Sequence, residues 1–485
     1  MPSNTYDLVV LGDDLAALVC GTLCARRGMR TLVLGSDRPG RYTLGPHKLP
    51  IEPMLWPVGT GSAGERVLKE LHAELALRRK LREPRIAAQI VAPDFRIDLG
   101  HDRVGTELAR EFGAAADGVH ARWQRGRELA RTFDPLVAGE HAFPGVGFFE
   151  RRETAKLADA ATAAASSWWH EAEGDRIWRH LAAIALRHPD PPPIAIARAL
   201  DAWHAGPPAL RGDGEAIREL LVEKLTTAGG EVRAGKLASA GVSWGKLSSI
   251  TLHNGDEIGA GQVVSSLPLV ELAELLGKKA PRKLLELAEG MQRVGYRYTF
   301  NIVIDESGIP EHMAQTVAVI ADPAREPVGD AAFSIHLGEA DDAGRVVATV
   351  AALLASEAEH PDDLMPACMA LRAALWKRLG DVMPFFDRHL VLAHSPFEIK
   401  PPHVPGGRGS YDVPRQLPLA MSPVWQGAVD TYVIGLKNVT LTGEQVLPAF
   451  GVEGALTAGW SAAKVACALA GKKKDYLRDE VVGAA

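Results

Sequence analysis

Residues 6–37, YDLVVLGDDLAALVCGTLCARRGMRTLVLGSD, decide how the rest of the chain is read. The apolar run 8–11 predicts a strand buried on both faces, and Gly12 turns it into a helix over 15–27. Gly28 supplies the C-cap of that helix, and 31–34 predicts a second buried strand. Strand, glycine turn, helix and strand within about thirty residues make a βαβ unit of the dinucleotide-binding kind. Such a unit seats a pyrophosphate on the first N–H groups of its helix, where the dipole is positive.

The glycine pattern departs from G-x-G-x-x-G. Its three places fall on Gly12, Asp14 and Ala17. Gly12 serves the turn and Ala17 is small enough for helix–sheet packing, but Asp14 stands where bare backbone meets the pyrophosphate. A carboxylate about 4 Å from a phosphate charge costs on the order of 4 kcal/mol at an effective dielectric of 20, roughly a thousandfold in affinity. Asp13 and Asp14 read equally as caps that complement the helix dipole, with Asp14 occupying the anion hole itself. The acid expected at the end of the second strand is replaced by Gly35, with Asp37 two residues late.

With 485 residues, two intimately associated domains are the expectation. Hydrophobic content of 47% and charged content of 24% belong to a globular protein. A net charge of −6 and the lack of a long basic stripe argue against nucleic acid as partner. The cluster Lys472 to Lys474 reads as a solvated tail. Cys20, Cys24, Cys368 and Cys467 are too scattered for a disulfide scaffold, and Cys20 and Cys24 read as packing residues on the first helix. No C-x-x-C or His-rich set supports a metal centre. With no signal peptide and no apolar run that spans a bilayer, the expectation is a cytoplasmic protein without an integral span. The segment 143–149, FPGVGFF, is a loop that leaves peripheral membrane contact open.

Further along, 64–77 predicts one amphipathic helix, 90–98 a strand or two, and 106–132 and 150–188 helical segments, with Trp168 and Trp169 as core. The run 189–193, PDPPP, marks a domain crossing, and RGDG at 211–214 opens a helix with Ile217, Leu220, Leu221 and Leu225 on one face. Strands are expected at 236–242, 247–252, 258–266, 296–304 and 317–320, with Asn254-Gly255 as a type I′ turn, and a helix at 364–379. Finally 438–463, NVTLTGEQVLPAFGVEGALTAGWSAA, runs from strand through a glycine turn into a helix beginning near Gly451. Its small residues Gly454, Ala455, Ala458, Gly459, Ala462 and Ala463 admit a close neighbour, either another helix or a cofactor.

Taken together, the two ends resemble the flavin-dependent amine oxidase and phytoene desaturase superfamily. Residues 6–37 match its N-terminal motif, and PGR at 39–41 is similar to Gly-Gly-Arg, followed by LGPH at 44–47. RGDG resembles Pro-x-Gly-Gly, VVSSLP at 263–268 resembles Val-Val-Ser-x-x-Pro, and 442–463 resembles Gly-Asp through Pro-Gly-x-Gly-x-x-Gly-Ala. The resemblance implies an α/β fold: an FAD-binding Rossmann-like domain of the glutathione-reductase type with an inserted α+β substrate domain. The FAD domain would comprise 1–80, 206–270 and 396–475, the substrate domain 81–205 and 271–395, and 476–485 a tail.

It also implies FAD contacts at Gly12, Asp14, Leu15 and Ala16 for the diphosphate, Gly40 and Arg41 beyond it, and Gly443 and Glu444 for the ribityl chain. The flavin ring would lie on Gly451, Val452 and Gly454, with His47 as the one titratable residue beside it, although His47 reads first as a plain loop histidine. Four departures (Asp14, Gly35, Pro39 and Glu444) fall on FAD contacts, so cofactor binding is expected to be weakened or lost. One function is therefore hydride removal from an apolar or amine substrate by FAD, with no catalytic residue assigned. The other is a non-catalytic binding or assembly protein with a protein partner, as in the Rab GDP-dissociation inhibitors of this superfamily. A nicotinamide dehydrogenase ranks third, because Asp14 and Gly35 are as awkward for NAD.

Overall fold

The computed structural model describes residues 4–35, 40–54, 62–82, 86–100, 103–170, 175–206, 209–211, 213–355, 361–397, 403–405 and 421–471. The chain opens with β1 (Asn4–Leu11), α1 (Leu15–Arg26) and β2 (Thr31–Gly35), followed by a hairpin of β3 (Arg41–Leu44) and β4 (His47–Pro50). Next come β5 (Ala88–Val91), β6 (Arg96–Leu99), and the helices α2 (Phe148–His170), α3 (Asp175–Leu186), α4 (Pro193–Ala205) and α5 (Asp213–Thr227). The strands β7 (Glu231–Ala234), β8 (Leu237–Ser243), β9 (Lys246–Leu252) and β10 (Glu257–Ser265) return to the first sheet. A second sheet takes β11 (Gln292–Asp305), β12 (Thr316–Ile320), β13 (Ala332–Leu337) and β14 (Arg345–Leu354). The chain then gives α6 (Pro361–Val382), β15 (Leu390–His394), β16 (Ser422–Gln426), β17 (Val439–Leu441) and α7 (Gly451–Leu469).

The first sheet runs β8-β9-β10-β1-β2-β7, and β17 adds to β10. Its Rossmann-like part is parallel: β1 lies between β2 and β10, while β7 and β17 extend it outward. Leu8, Val9, Val10 and Leu11 are fully buried, as a strand covered on both faces requires. Each such side chain contributes roughly 1.5–3 kcal/mol of burial. Helix α1 packs between α7 and α5. The small residues of α7 admit α1: a Cβ on Gly459 would stand 2.5 Å from the Ala16 carbonyl oxygen. Cys24 and Cys467 meet in this interface as buried packing, with sulfurs 3.8 Å apart.

The second sheet, β15-β11-β14-β13-β12-β5-β6 with β16 on β11, is antiparallel except where β5 meets β12. One face carries Tyr298, Phe300, Ile302 and Phe333 against Leu371, Leu375 and Leu379 of α6. Towards the β3–β4 hairpin the other face carries polar groups. Asn301 donates to the Tyr42 hydroxyl (3.1 Å) and the Pro50 carbonyl (2.8 Å), and accepts from Thr349 (2.7 Å). The β3–β4 hairpin thereby packs on the second sheet, with Tyr42, Leu44 and Leu49 against Val303 and Leu392.

Several local expectations are corrected. The helix expected over 64–77 is two, Ala63–Glu70 and Glu74–Arg78, broken where His72 adopts φ +48°. The helical stretch 150–188 begins earlier, at Phe148, and is α2 and α3; residues 171–174 lie outside the described residues. Asn254-Gly255 is not the type I′ turn, which needs positive φ at both central residues. Gly255 has φ +89°, whereas the Asn254 side chain builds an Asx turn by accepting from the Asp256 N–H (3.0 Å). The two-residue hairpin is Trp244-Gly245, at φ +54° and +72°, joining β8 to β9. Phe148 and Phe149 begin α2, 69% and 80% exposed, so FPGVGFF is not wholly a loop. Strands β13 and β14 were not expected at all. Lys472 to Lys474, Asp37 and Pro39 lie outside the described residues.

Candidate functional site

Gly12 makes the turn from β1 to α1 at φ +103°, and its N–H donates to the Leu34 carbonyl (2.9 Å). A side chain there meets both a left-handed backbone and Ser266, whose Oγ would lie 2.1 Å from a new Cβ. Gly12→Ala is therefore expected to destabilise the protein by about 1–3 kcal/mol, read from the denaturant midpoint; an unchanged midpoint would refute it.

Asp14 follows at φ −65° and ψ 175°, and its carboxylate accepts from the Ala17 N–H at 2.8 Å. This is the N-cap geometry of a helix that supplies its own anion. Asp14 lies deep in the molecule yet its side chain is exposed, so it faces a cleft rather than bulk solvent. Burial pushes its pKa up to about 6; the Ala17 and Ser266 hydrogen bonds oppose the rise, and the charges of Asp13 and Glu444 add to it.

Asp13 points the other way. Its Oδ2 would stand 2.7 Å from a Cβ on Gly35, so the acid missing from the end of β2 is supplied at the same place by a different residue. That acid is engaged: Arg218 of α5 bonds its carboxylate and its carbonyl, both at 2.6 Å.

Across the cleft, Gly443 turns the chain after β17 at φ +91°, where a Cβ would lie 3.2 Å from Asp14 Oδ2. Glu444 makes a close ion pair with Arg297 of β11. Burial opposes the Arg297 charge, but Glu444 and Glu52 outweigh it and hold its pKa above the ordinary value. At the start of α7, Gly451 (φ +54°) packs on Leu186, whose Cα would lie 3.4 Å from a Cβ there. A Cβ on Gly454 would lie 2.7 Å from both the Leu447 carbonyl oxygen and Phe450 Cβ. Glu453, in the first turn of α7, pairs through both oxygens with the Nε–Nη2 edge of Arg198 from α4, which also reaches Asp134 (2.9 Å).

Of the cofactor residues suggested by the sequence, Gly12 and Asp14 meet Gly443 around Ser266, with Leu15 and Ala16 opening α1; Glu444 follows on Arg297, and Gly451, Val452 and Gly454 open α7 against Leu186, Leu447 and Phe450. Gly40 lies by Glu215, whose Oε2 would be 2.3 Å from a Cβ there. Arg41 and His47 sit in the hairpin; His47 is a buried strand residue rather than a loop one, and burial lowers its pKa. Arg187, Arg218 and Arg297 were missed by sequence reasoning, since nothing local marks an arginine that pairs with an acid far along the chain.

A diphosphate at this end of α1 would meet a carboxylate of its own sign. The helix N-terminus that would receive it is capped by Asp14, with Asp13 and Glu444 adding negative charge nearby. Because Asp14 holds its proton longer in the folded state, stability falls as pH rises from about 4 to about 6 and is flat above. Asp14→Asn keeps the capping oxygen and removes the charge. It is expected to gain about 1–2 kcal/mol at pH 7.5, water in the cleft screening part of the effect, and nothing at pH 3.5. Urea midpoints at both values check this, and an equal gain at both would show that the charge is not the cause.

Among the described residues, no group of three or more His, Cys, Asp or Glu is placed to hold a metal ion, and no helix is long and apolar enough to cross a membrane. No family model matches the sequence, and no curated protein matches it significantly. Solved structures do match in fold. An oxidoreductase from Methanosarcina mazei superposes with a TM-score of 0.59 at 12% identity, over 94% of this chain and 99% of its own. A triple mutant of putrescine oxidase, from a redesign of its cofactor binding, gives 0.59 at 12% identity over 96% and 100%. Wild-type putrescine oxidase bound to putrescine gives 0.56 at 13% over 96% and 99%. The chain has the α/β fold of these oxidoreductases, with a Rossmann-like domain, as the resemblance implied.

Proposed function

We propose that this chain is a binding or assembly protein built on a flavin-oxidoreductase fold, a pseudoenzyme whose own acids stand in the places of FAD. The observation that carries the reading is the Asp14 carboxylate on the Ala17 N–H, at the helix end where a diphosphate would be bound. Two further contacts support it: Asp13 is committed to Arg218, and Glu444 to Arg297. Its partner is then a protein or a small molecule seated in the cleft, and its place the cytoplasm.

A second reading is an oxidoreductase of the amine oxidase or phytoene desaturase type. The turn and helix start at Gly443, Gly451 and Gly454 favour it, as does the near full-length likeness in fold to putrescine oxidase. Under this reading Asp14 is protonated when FAD binds, and the substrate is a small amine or an apolar molecule.

The test is the visible absorption spectrum after incubation with excess FAD and desalting, at pH 7.5 and pH 5.5. Protein without flavin bands at both values supports the binding protein. Bands that survive desalting at either pH overturn it in favour of the oxidoreductase, and a screen of amine and apolar substrates follows.

A further inference from the structure

The turn Trp244-Gly245 between β8 and β9 combines two penalties that nothing in the fold offsets. Tryptophan takes φ +54° there, in the left-handed region that asparagine and glycine adopt and that is an outlier for a bulky side chain. Its indole is also 92% exposed, more than any other large apolar side chain among the described residues. An asparagine would relieve the backbone and take apolar surface out of water, so the turn itself gives no reason for a tryptophan.

The surroundings are basic. Lys437, just ahead of β17, donates its N–H to the Gly245 carbonyl (2.9 Å), and its Cε would lie 3.7 Å from a Cβ on Gly245. Lys279, after the helix Leu269–Leu276, donates from Nζ to the Val242 carbonyl (3.1 Å). Lys283 stands by Gly435, where a Cβ would lie 4.0 Å from the Lys283 Cβ. Lys246, Lys278, Lys279, Lys283 and Lys437 are all exposed. The segments that meet here, 236–249, 277–283 and 433–438, hold no acid. Glu271 and Glu274 lie on the helix before Lys278, and Glu286 is paired with Arg282 (2.7 Å).

An indole settles at the boundary between headgroups and acyl chains, and lysines beside it attract anionic headgroups. Either signal alone binds a bilayer only marginally, whereas an apolar anchor with a basic patch holds a peripheral protein there. We propose that the Trp244 hairpin docks the protein on an anionic lipid surface, the indole entering that boundary and the exposed lysines around it meeting the headgroups. The patch lies at the start of β17 and Gly443 just past its end, so the proposal stands whichever reading of the cleft holds.

Co-sedimentation of the full chain with vesicles is the experiment, using phosphatidylcholine alone and a two-to-one mixture of phosphatidylcholine and phosphatidylserine. Partitioning into the mixed vesicles is expected to be roughly tenfold stronger or more. It is expected to fade as salt rises from about 0.1 M to about 1 M and the screening length falls from about 10 Å to about 3 Å. Trp244→Asn is expected to weaken partitioning roughly tenfold, with a urea midpoint unchanged or higher because Asn-Gly suits the turn. Lys246→Gln combined with Lys278→Gln is expected to weaken it by a similar factor. No partitioning, equal partitioning into the two kinds of vesicle, or insensitivity to salt overturns the proposal. So does either variant that partitions as the unaltered protein does. A DNA duplex bound at least as tightly as the mixed vesicles overturns it too, since the lysines would then serve nucleic acid.

Discussion

Asp14→Gly is expected to raise the affinity for FAD by roughly a thousandfold at pH 7.5, and by far less at pH 5. The size follows from one carboxylate about 4 Å from a phosphate charge, on the order of 4 kcal/mol at an effective dielectric of 20. The pH dependence follows from the burial that lifts the Asp14 pKa to about 6, so that acid itself removes most of the charge. Folding survives the change because glycine at an N-cap costs only a few tenths of a kcal/mol relative to aspartate. It also clears the space beside Gly443, now filled by the carboxylate. Quenching of flavin fluorescence on titration into variant and unaltered protein measures the ratio. A ratio below tenfold at pH 7.5 would mean that Asp13, Glu444 or the packing of Leu186 on Gly451 blocks the cofactor independently.

Arg198→Met is expected to cost about 3–5 kcal/mol of stability, the usual loss when a buried ion pair is stripped of one partner. Arg198 and Glu453 keep only 10% and 11% of their side-chain surface, and Asp134 makes a third member of the group. Burial alone disfavours the arginine's charge, yet the two acids outweigh it and hold the pKa above its ordinary value. Without the guanidinium, Glu453 is left charged or must take up a proton within the first turn of α7. Urea unfolding measures the loss, and one below about 1 kcal/mol would show that water replaces the arginine. The double variant Arg198→Met with Glu453→Leu is expected to recover most of the stability, since the desolvated charge goes with its partner.

How far the chain could be read from its residues varied with the range of the interaction. The βαβ unit was legible because its strands are continuous apolar runs and its punctuation, Gly12 and Gly28, is local. Asp14 as a cap was legible for the same reason, three residues from the N–H it takes. Trp244-Gly245 was overlooked in favour of Asn254-Gly255: composition favours the asparagine pair, but the register between β8 and β9 leaves just two residues for the turn. Strands β13 and β14 were missed because the alternation in Ala332–Leu337 and Arg345–Leu354 is blurred by burial of both faces. The pairs Asp13–Arg218 and Glu444–Arg297 join residues 205 and 147 apart, and no local pattern announces them. The same holds for the acid at Gly35: the sequence shows a glycine, and only the fold shows Asp13 turned into its place.

The first sheet also governs how the protein is made. Its middle strand β1 leaves the ribosome well before its partners: its neighbour β10 lies at 257–265 and the strand beyond, β17, at 439–441. Helix α1 must wait longer still for α7. At roughly 5–20 residues per second, β17 follows β1 out of the ribosome after roughly 20–90 s. Until β10 is made, the fully apolar run Leu8–Leu11 has only β2 and α1 for cover, so this segment is the one that a chaperone would hold.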